Sequence, residues 1–138
     1  MTARRRRERQ WGTVAVCACA LLIPLQPVFM MPDGSPQMTQ TWVDTDGRHI
    51  LINSVRGHQK INNIERDPRV ALNVSDGSRP SRYYAIRGRV LSVSTDGAVE
   101  HIEKLAHRYL GGPYPWFGGR DQVRLLLTIE ADKISSTG

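Results

Sequence analysis

Three basic side chains fall within five residues in the stretch Asn53-Ser54-Val55-Arg56-Gly57-His58-Gln59-Lys60, which follows a β-branched run and leads into a polar, helix-forming segment. A helix that begins there presents unpaired backbone N–H groups and the positive end of its dipole. Arg56, His58 and Lys60 around that end, with Ser54 as a further donor, have the composition that suits a phosphate. Taken alone, the same residues also describe an exposed helix start with scattered basic groups, and spacing does not choose between the two.

Few other residues present organised chemistry. The serines lie in turns or at strand ends without a nucleophile-elbow pattern. His49, His101 and His107 belong to no cluster of metal ligands, and the latter two fall on the flank of a helix. Cys17 and Cys19, one residue apart with no second pair, are too few for a structural zinc site and read as small apolar residues. Tyr114, Trp116 and Phe117 sit in a loop bounded by glycines; they read either as a mobile lid over a ring or substrate, or as a hydrophobic plug over one end of the fold.

The elements that would position these groups are mostly short strands. Val28–Met31 leads into the turn Pro32-Asp33-Gly34, and residues 37–44 alternate as a second strand. Asp46-Gly47 then turns the chain into a third strand over residues 49–53. Ile61 and Ile64 set the period of a short helix over residues 58–66, which Pro68 stops. Val70, Leu72 and Val74 mark a fourth strand, and residues 83–94 a long fifth one in which Gly88 predicts a bulge or bend. Val99, Ile102, Leu105, Ala106 and Tyr109 line a second helix, with Thr95 or Asp96 as its expected cap and Gly111-Gly112 as its end. Val123, Leu125, Leu127 and Ile129 alternate in a closing strand. Six mainly antiparallel strands with two short helices predict an α+β fold dominated by β structure, a six-stranded closed or split β-barrel. A dinucleotide-binding α/β sheet is excluded, because no Gly-rich fingerprint follows a strand.

At 138 residues, 40% of them hydrophobic, the chain suits one domain with an ordinary core. Of the net charge of +6, four units come from Arg4, Arg5, Arg6, Arg7 and Arg9 against Glu8, so the body carries +2. A nearly neutral body with a basic tip argues against nucleic-acid binding, which needs a basic patch on the folded domain. Residues 1–27 form an atypical basic and apolar segment ahead of a barrel domain over residues 28–138. That segment imitates a secretory signal, yet its apolar run is short, is interrupted by Pro24 and Pro27, and falls below the roughly twenty residues that span a bilayer. An export signal or anchor, a helix packed on the barrel and a start site placed too far upstream compete for it. The last two fit a cytoplasmic cofactor-binding protein, with no membrane association expected.

Several segments, in order, carry a resemblance. They are Pro32-Asp33-Gly34-Ser35-Pro36-Gln37, Trp42-Val43-Asp44, the block Ile50–Lys60 with Asn63–Ala71, then Ile86-Arg87-Gly88-Arg89-Val90, Tyr109-Leu110-Gly111, Tyr114-Pro115-Trp116 and Arg124–Ile129. Together they resemble the pyridoxamine phosphate oxidase-like superfamily of FMN-binding split barrels, and within it the branch of deazaflavin-dependent reductases. The resemblance implies a homodimer with a cofactor in each groove between subunits and no metal. It implies that Lys60 holds the cofactor phosphate, helped by Arg56, His58 and Ser54, with Asn53 and Asn63 close by. Gln37, Met38, Thr39 and Gln40 would border the ring system, while Tyr83 and the Trp116 loop of the partner would close the pocket. His58 stands where the family pattern would place an arginine, which leaves Lys60 as the main charge. The N-terminus departs further, and a missing or altered first strand would leave a barrel edge unpaired. The implied activity is hydride transfer between coenzyme F-420 and an electron-poor small molecule, with no dedicated nucleophile or other catalytic side chain. An FMN-dependent oxidase or reductase, or a non-catalytic flavin- or deazaflavin-binding protein, are the alternatives.

Overall fold

The computed structural model describes residues 24–76 and 79–136. The expectations for the arginine block, the cysteines and the apolar run as far as residue 23 lie outside these residues. The elements are β1 (Pro24–Met30), β2 (Pro36–Met38), β3 (Thr41–Trp42), β4 (Asp44–Thr45), β5 (Ile50–Val55), α1 (Gln59–Arg66), β6 (Arg69–Asp76), β7 (Arg79–Ser94), α2 (Ala98–Leu110) and β8 (Arg124–Ser136). Neighbouring strands run antiparallel in the order β2-β1-β6-β7-β8-β5-β4, and β3 also pairs with β1.

Alternation decides what faces inward. Ile50 and Ile52 of β5, Val70, Leu72 and Val74 of β6, Tyr84, Ile86 and Val90 of β7, and Leu125, Leu127, Ile129 and Ala131 of β8 all enter one core with Phe29 and Val43. The Pro-Asp-Gly turn joins β1 to β2 as expected. Gly34 takes φ +83°, and the Asp33 carboxylate accepts from the Ser35 backbone N–H at 2.9 Å. Asp46 does the same work before β5, accepting from the backbone N–H groups of Arg48 and His49 at 2.8 and 2.6 Å.

Closure of the barrel depends on three residues. β3 pairs with β1, placing Trp42 opposite Pro24, and β4 pairs with β5, placing Asp44 opposite Leu51. Val43, buried between the two, is where the chain crosses from one edge of the sheet to the other. The single strand expected over residues 37–44 is therefore broken into β2, β3 and β4, because one continuous ribbon cannot serve both edges. Counted as one crossing segment, these pieces leave the six-stranded antiparallel barrel that the sequence predicts.

Two further expectations are corrected. The first strand is not missing: β1 pairs with β6 on one side and with β2 and β3 on the other, so that edge is filled. Pro24 and Pro27 deprive its ladder of two N–H donors without abolishing the pairing. The N-cap of α2 is Gly97, in the left-handed region at φ +73°, rather than Thr95 or Asp96. Thr95 contributes only its carbonyl, which accepts from the Ala98 N–H at 3.2 Å. Gly88 fulfils its expected role, since the β7–β8 register shifts between Arg87 and Gly88.

α2 lies against β5 and β8 and grips the crossing segment. Asp44 is only 1% exposed, and its carboxylate accepts from Arg108 at 2.9 Å and from His101 and Lys104 at 3.1 Å each. One residue earlier, the Tyr109 hydroxyl donates to the Val43 carbonyl at 3.1 Å, and the Tyr109 ring stacks on Trp42 with centroids 5.3 Å apart. Burial by itself would push the Asp44 carboxyl up, but hydrogen bonds from His101, Arg108, the Thr45 backbone and Lys104 outweigh it and hold the group far below the usual carboxylate range.

Two outcomes follow from this packing. A Cβ at Gly88 would stand 2.1 Å from the Glu130 carbonyl oxygen, whereas one at Gly112 would meet nothing within 4 Å. Gly88→Ala should therefore lower unfolding free energy by about 1–3 kcal/mol in urea titrations, and Gly112→Ala should leave it near the parent value. For Asp44, the folded carboxyl is depressed, so the unfolded chain takes up a proton first as pH falls. Its stabilisation is whole above the ordinary aspartate value of about 4 and is withdrawn below it. Urea midpoints measured from pH 7 down to pH 3 should fall more steeply for the parent than for Asp44→Asn, which starts lower at pH 7 and has no carboxylate there to titrate.

Candidate functional site

Arg124 opens β8 and is paired with Val55, while Asn53 is paired with Leu126. Cross-strand partners share a face, so Arg124 and Asn53 both project from the side of β5 and β8 that α2 covers. The Arg124 Nε–H donates to Asn53 Oδ1 at 2.8 Å. Its guanidinium lies 5.3 Å from the Tyr114 ring centroid and reaches the Tyr114 hydroxyl at 3.4 Å. At 8% exposed, this guanidinium is a buried cation.

It borders a cavity of about 440 Å³. Gln40, Thr41 and Trp42 of the crossing segment form one wall, Ile102 and Leu105 of α2 a second, Tyr114 and Phe117 of the following loop a third, and Asn53 and Arg124 the floor. The size is in the range of small-molecule sites. Trp42, Ile102, Leu105, Tyr114 and Phe117 suit a flat ring, while Gln40 and Thr41 on one wall and Asn53 and Arg124 on the floor supply polar groups.

Two more basic side chains, Lys60 and His58, feel the charge of Arg124. Burial first, and then the charge of Arg124, push the Lys60 ammonium down from its ordinary value. His58 is pushed down by burial, then by Lys60, then by Arg124. Burial likewise lowers Arg124, with Tyr114 opposing. Among the described residues no carboxylate pairs with Lys60, His58 or Arg124. Two cations, Lys60 and Arg124, that feel each other's charge and have no acid beside them, with the His58 imidazole as a further hydrogen-bonding group, form an electrostatic vacancy for an anion. His58 also serves as the N-cap of α1 through its backbone, with no side-chain capping bond, so its imidazole is free of that duty.

The structure disperses other residues that the sequence grouped here. Ser54 alternates to the opposite side of β5 from Asn53; its hydroxyl is buried with no hydrogen-bond partner, so it does not stand beside Arg124. Arg56 is exposed, and its backbone N–H pairs with the Val123 carbonyl at 3.0 Å. Asn63 is fully buried and occupied internally: it donates to Gln37 Oε1 at 2.7 Å and accepts from Gln59 and Arg66 at 2.8 and 3.2 Å. Its amide ties α1 to the β1–β2 hairpin and takes Gln37 with it. Met38 is 68% exposed, Thr39 is half-buried with its hydroxyl on the Gln40 carbonyl, and of the four residues 37–40 only Gln40 lines the cavity.

Tyr83 points outward from β7 at 37% exposure while Tyr84 enters the core, which assigns the pair the sequence left open. Trp116, at φ +53°, does not line the cavity. Its ring sets an edge against Tyr114 at 5.5 Å and lies under the Arg120 guanidinium at 5.6 Å, holding in place the loop that carries Tyr114 and Phe117. Arg124 and Trp42 line the cavity without having been assigned from the sequence, and Tyr114 and Phe117, whose loop the sequence offered as a lid or a plug, line it with them. The available signal for Arg124 was a solitary basic residue heading an apolar strand, but its neighbours appear only once β8 is registered against β5. No group of three or more His, Cys, Asp or Glu among the described residues could hold a metal ion, and no helix among them is long and apolar enough to cross a membrane.

Comparison with known proteins agrees with this architecture. A solved structure described as an F-420 reductase superposes with a TM-score of 0.76 at 27% identity, covering 87% of this chain and 94% of that one. The conserved hypothetical protein Rv2991 from Mycobacterium tuberculosis gives 0.71 at 21% identity, over 99% of this chain and 84% of its own. An FMN-binding protein from Syntrophomonas wolfei subsp. wolfei gives 0.64 at 11% identity, over 98% and 93%. No curated protein matches. The profile of the pyridoxamine 5'-phosphate oxidase family matches residues 26–137, nearly the whole barrel, and the chain belongs to that family.

Proposed function

We propose that this protein is an oxidoreductase that binds coenzyme F-420 and passes hydride between it and an electron-poor small molecule. The oxidoreductase class is supported by family membership and by similarity to the F-420 reductase structure. The observation that carries the site assignment is the cluster of Lys60, His58 and Arg124 without a carboxylate partner, next to an aromatic-walled cavity of about 440 Å³.

The residues present fit the group. A phosphate has two uncompensated cations, Lys60 and Arg124, and the His58 imidazole to meet, and a planar ring has Trp42, Tyr114 and Phe117. The deazaflavin, when bound, supplies the hydride chemistry. The protein's own contribution is to bind and orient. Lys60 and His58 fix the anionic part, Arg124 fixes the end of the cavity nearest them, and the aromatic walls exclude water and hold a flat partner in register. No nucleophile is required, and none is assigned. FMN, the other cofactor this fold accommodates, is the alternative; the FMN-binding neighbour supports it through the fold alone.

A second copy of the chain completes the reading. Tyr83 and Leu91 of β7 are exposed, and on this reading Tyr83 enters the partner's groove.

Fluorescence titration should show F-420 bound more tightly than FMN. Lys60→Ala should weaken F-420 binding by about 1.5–3 kcal/mol, because a charge-assisted contact is lost. An unchanged dissociation constant would remove Lys60 from the site. Sedimentation equilibrium should return twice the chain mass, and a monomer across the micromolar range would refute the shared groove.

A further inference from the structure

Arg124 is held from behind by a chain of buried polar groups that all donate in one direction. Its Nε–H donates to Asn53 Oδ1 at 2.8 Å. The Asn53 amide nitrogen donates to the Ala98 carbonyl at 2.7 Å and faces His101 Nδ1 at 3.2 Å. His101 Nε2 lies 3.1 Å from Asp44 Oδ2. Asn53, His101 and Asp44 are each at most 8% exposed, so water cannot substitute for a missing partner.

The orientation of every member follows from its neighbours. The Ala98 carbonyl requires the amide NH₂ on its side of Asn53, which leaves Oδ1 for Arg124. An NH₂ directed at His101 requires an acceptor at Nδ1, so the ring proton sits on Nε2 and donates to Asp44. The reversed amide would put oxygen against the Ala98 carbonyl and N–H against N–H at Arg124. Asp44 ends the chain, its remaining capacity filled by Arg108 and Lys104.

We propose that Asp44, His101 and Asn53 are positioning residues that fix the Arg124 guanidinium by its Nε edge and leave its Nη groups, one of which also reaches the Tyr114 hydroxyl at 3.4 Å, turned toward the ligand in the cavity. Donors aligned head to tail polarise one another, and a guanidinium pinned along one edge loses the freedom to swing out of the cavity. The same groups also tie α2 to the barrel, so a loss of stability would not distinguish positioning from architecture. A coupling measurement does.

The relay itself is independent of which cofactor binds, while its effect on affinity rests on the function proposed above, and the two are tested separately. In the unliganded chain, long-range ¹H–¹⁵N spectra should show His101 as the neutral Nε2–H tautomer and Arg124 Nε–H as a slowly exchanging resonance. Asn53→Ser should collapse that protection. A His101 ring protonated on Nδ1, or protection indifferent to Asn53, would overturn the relay whether or not F-420 binds. In F-420 titrations His101→Leu should raise the dissociation constant about tenfold in the parent but leave it unchanged in an Arg124→Met background. His101→Gln, which can still donate to Asp44 or accept from Asn53, should recover part of the loss. Equal losses in both backgrounds would mean that His101 does not act through Arg124 and would refute the proposal. Should the parent fail to bind F-420, the function falls while the spectra still decide the relay.

Discussion

The molecule depends on one buried carboxylate. Asp44 is 1% exposed, and removing a charge from water costs several kcal/mol unless the site returns that energy through good geometry. Three donors on successive turns of one helix do so: His101, Lys104 and Arg108 lie three or four residues apart, the spacing that puts side chains on one helical face. The consequence is geometric. Asp44 belongs to the short segment that carries the chain from the β1 edge to the β5 edge, so neutralising it by α2 and closing the barrel are the same event. Trp42 and Val43, held by Tyr109 through a ring stack and a hydrogen bond, extend that grip along the crossing segment.

The cavity inherits its shape from this closure. One wall is the crossing segment, another is the inner face of α2, and the loop that leaves α2 provides the third, with the Tyr114 backbone N–H held by Glu103 of the helix at 3.0 Å. A change that loosened Asp44 would move two walls at once. The polar end follows a different logic. Arg124 has its own neutral supports, Asn53 and Tyr114, and they orient it without cancelling its charge. Lys60 and His58 likewise meet no acid among the described residues. The protein thus neutralises charge fully where it builds the fold and leaves it uncancelled at Arg124 and Lys60.

Much of the fold was legible because its signals are local. Alternation in Val70–Val74 and Leu125–Ile129 marked strands, Pro32-Asp33-Gly34 and Asp46-Gly47 marked turns, and Ile61 with Ile64 marked α1. Gly88 marked the place where β7 shifts its register. The break of residues 37–44 into three pieces was not legible, because nothing local says that one strand must serve two sheet edges. The pairing of β1 was hidden by two prolines whose missing N–H groups argue against a strand, although neighbours on both sides hold it in place.

The site divides along the same line. The sequence by itself determined that Lys60 and His58 would gather where β5 hands over to α1, since chain connectivity alone brings them there. It could not decide that Asn63 would be consumed inside the protein, that Ser54 and Asn53 would part to opposite faces of β5, or that Arg124, more than sixty residues from Lys60, would join the group. Those outcomes depend on pairing register and on which face α2 covers. Both are set by long-range contacts, in which residues far apart in the chain compete for the same donors, acceptors and buried space, and only the tertiary structure settles that competition.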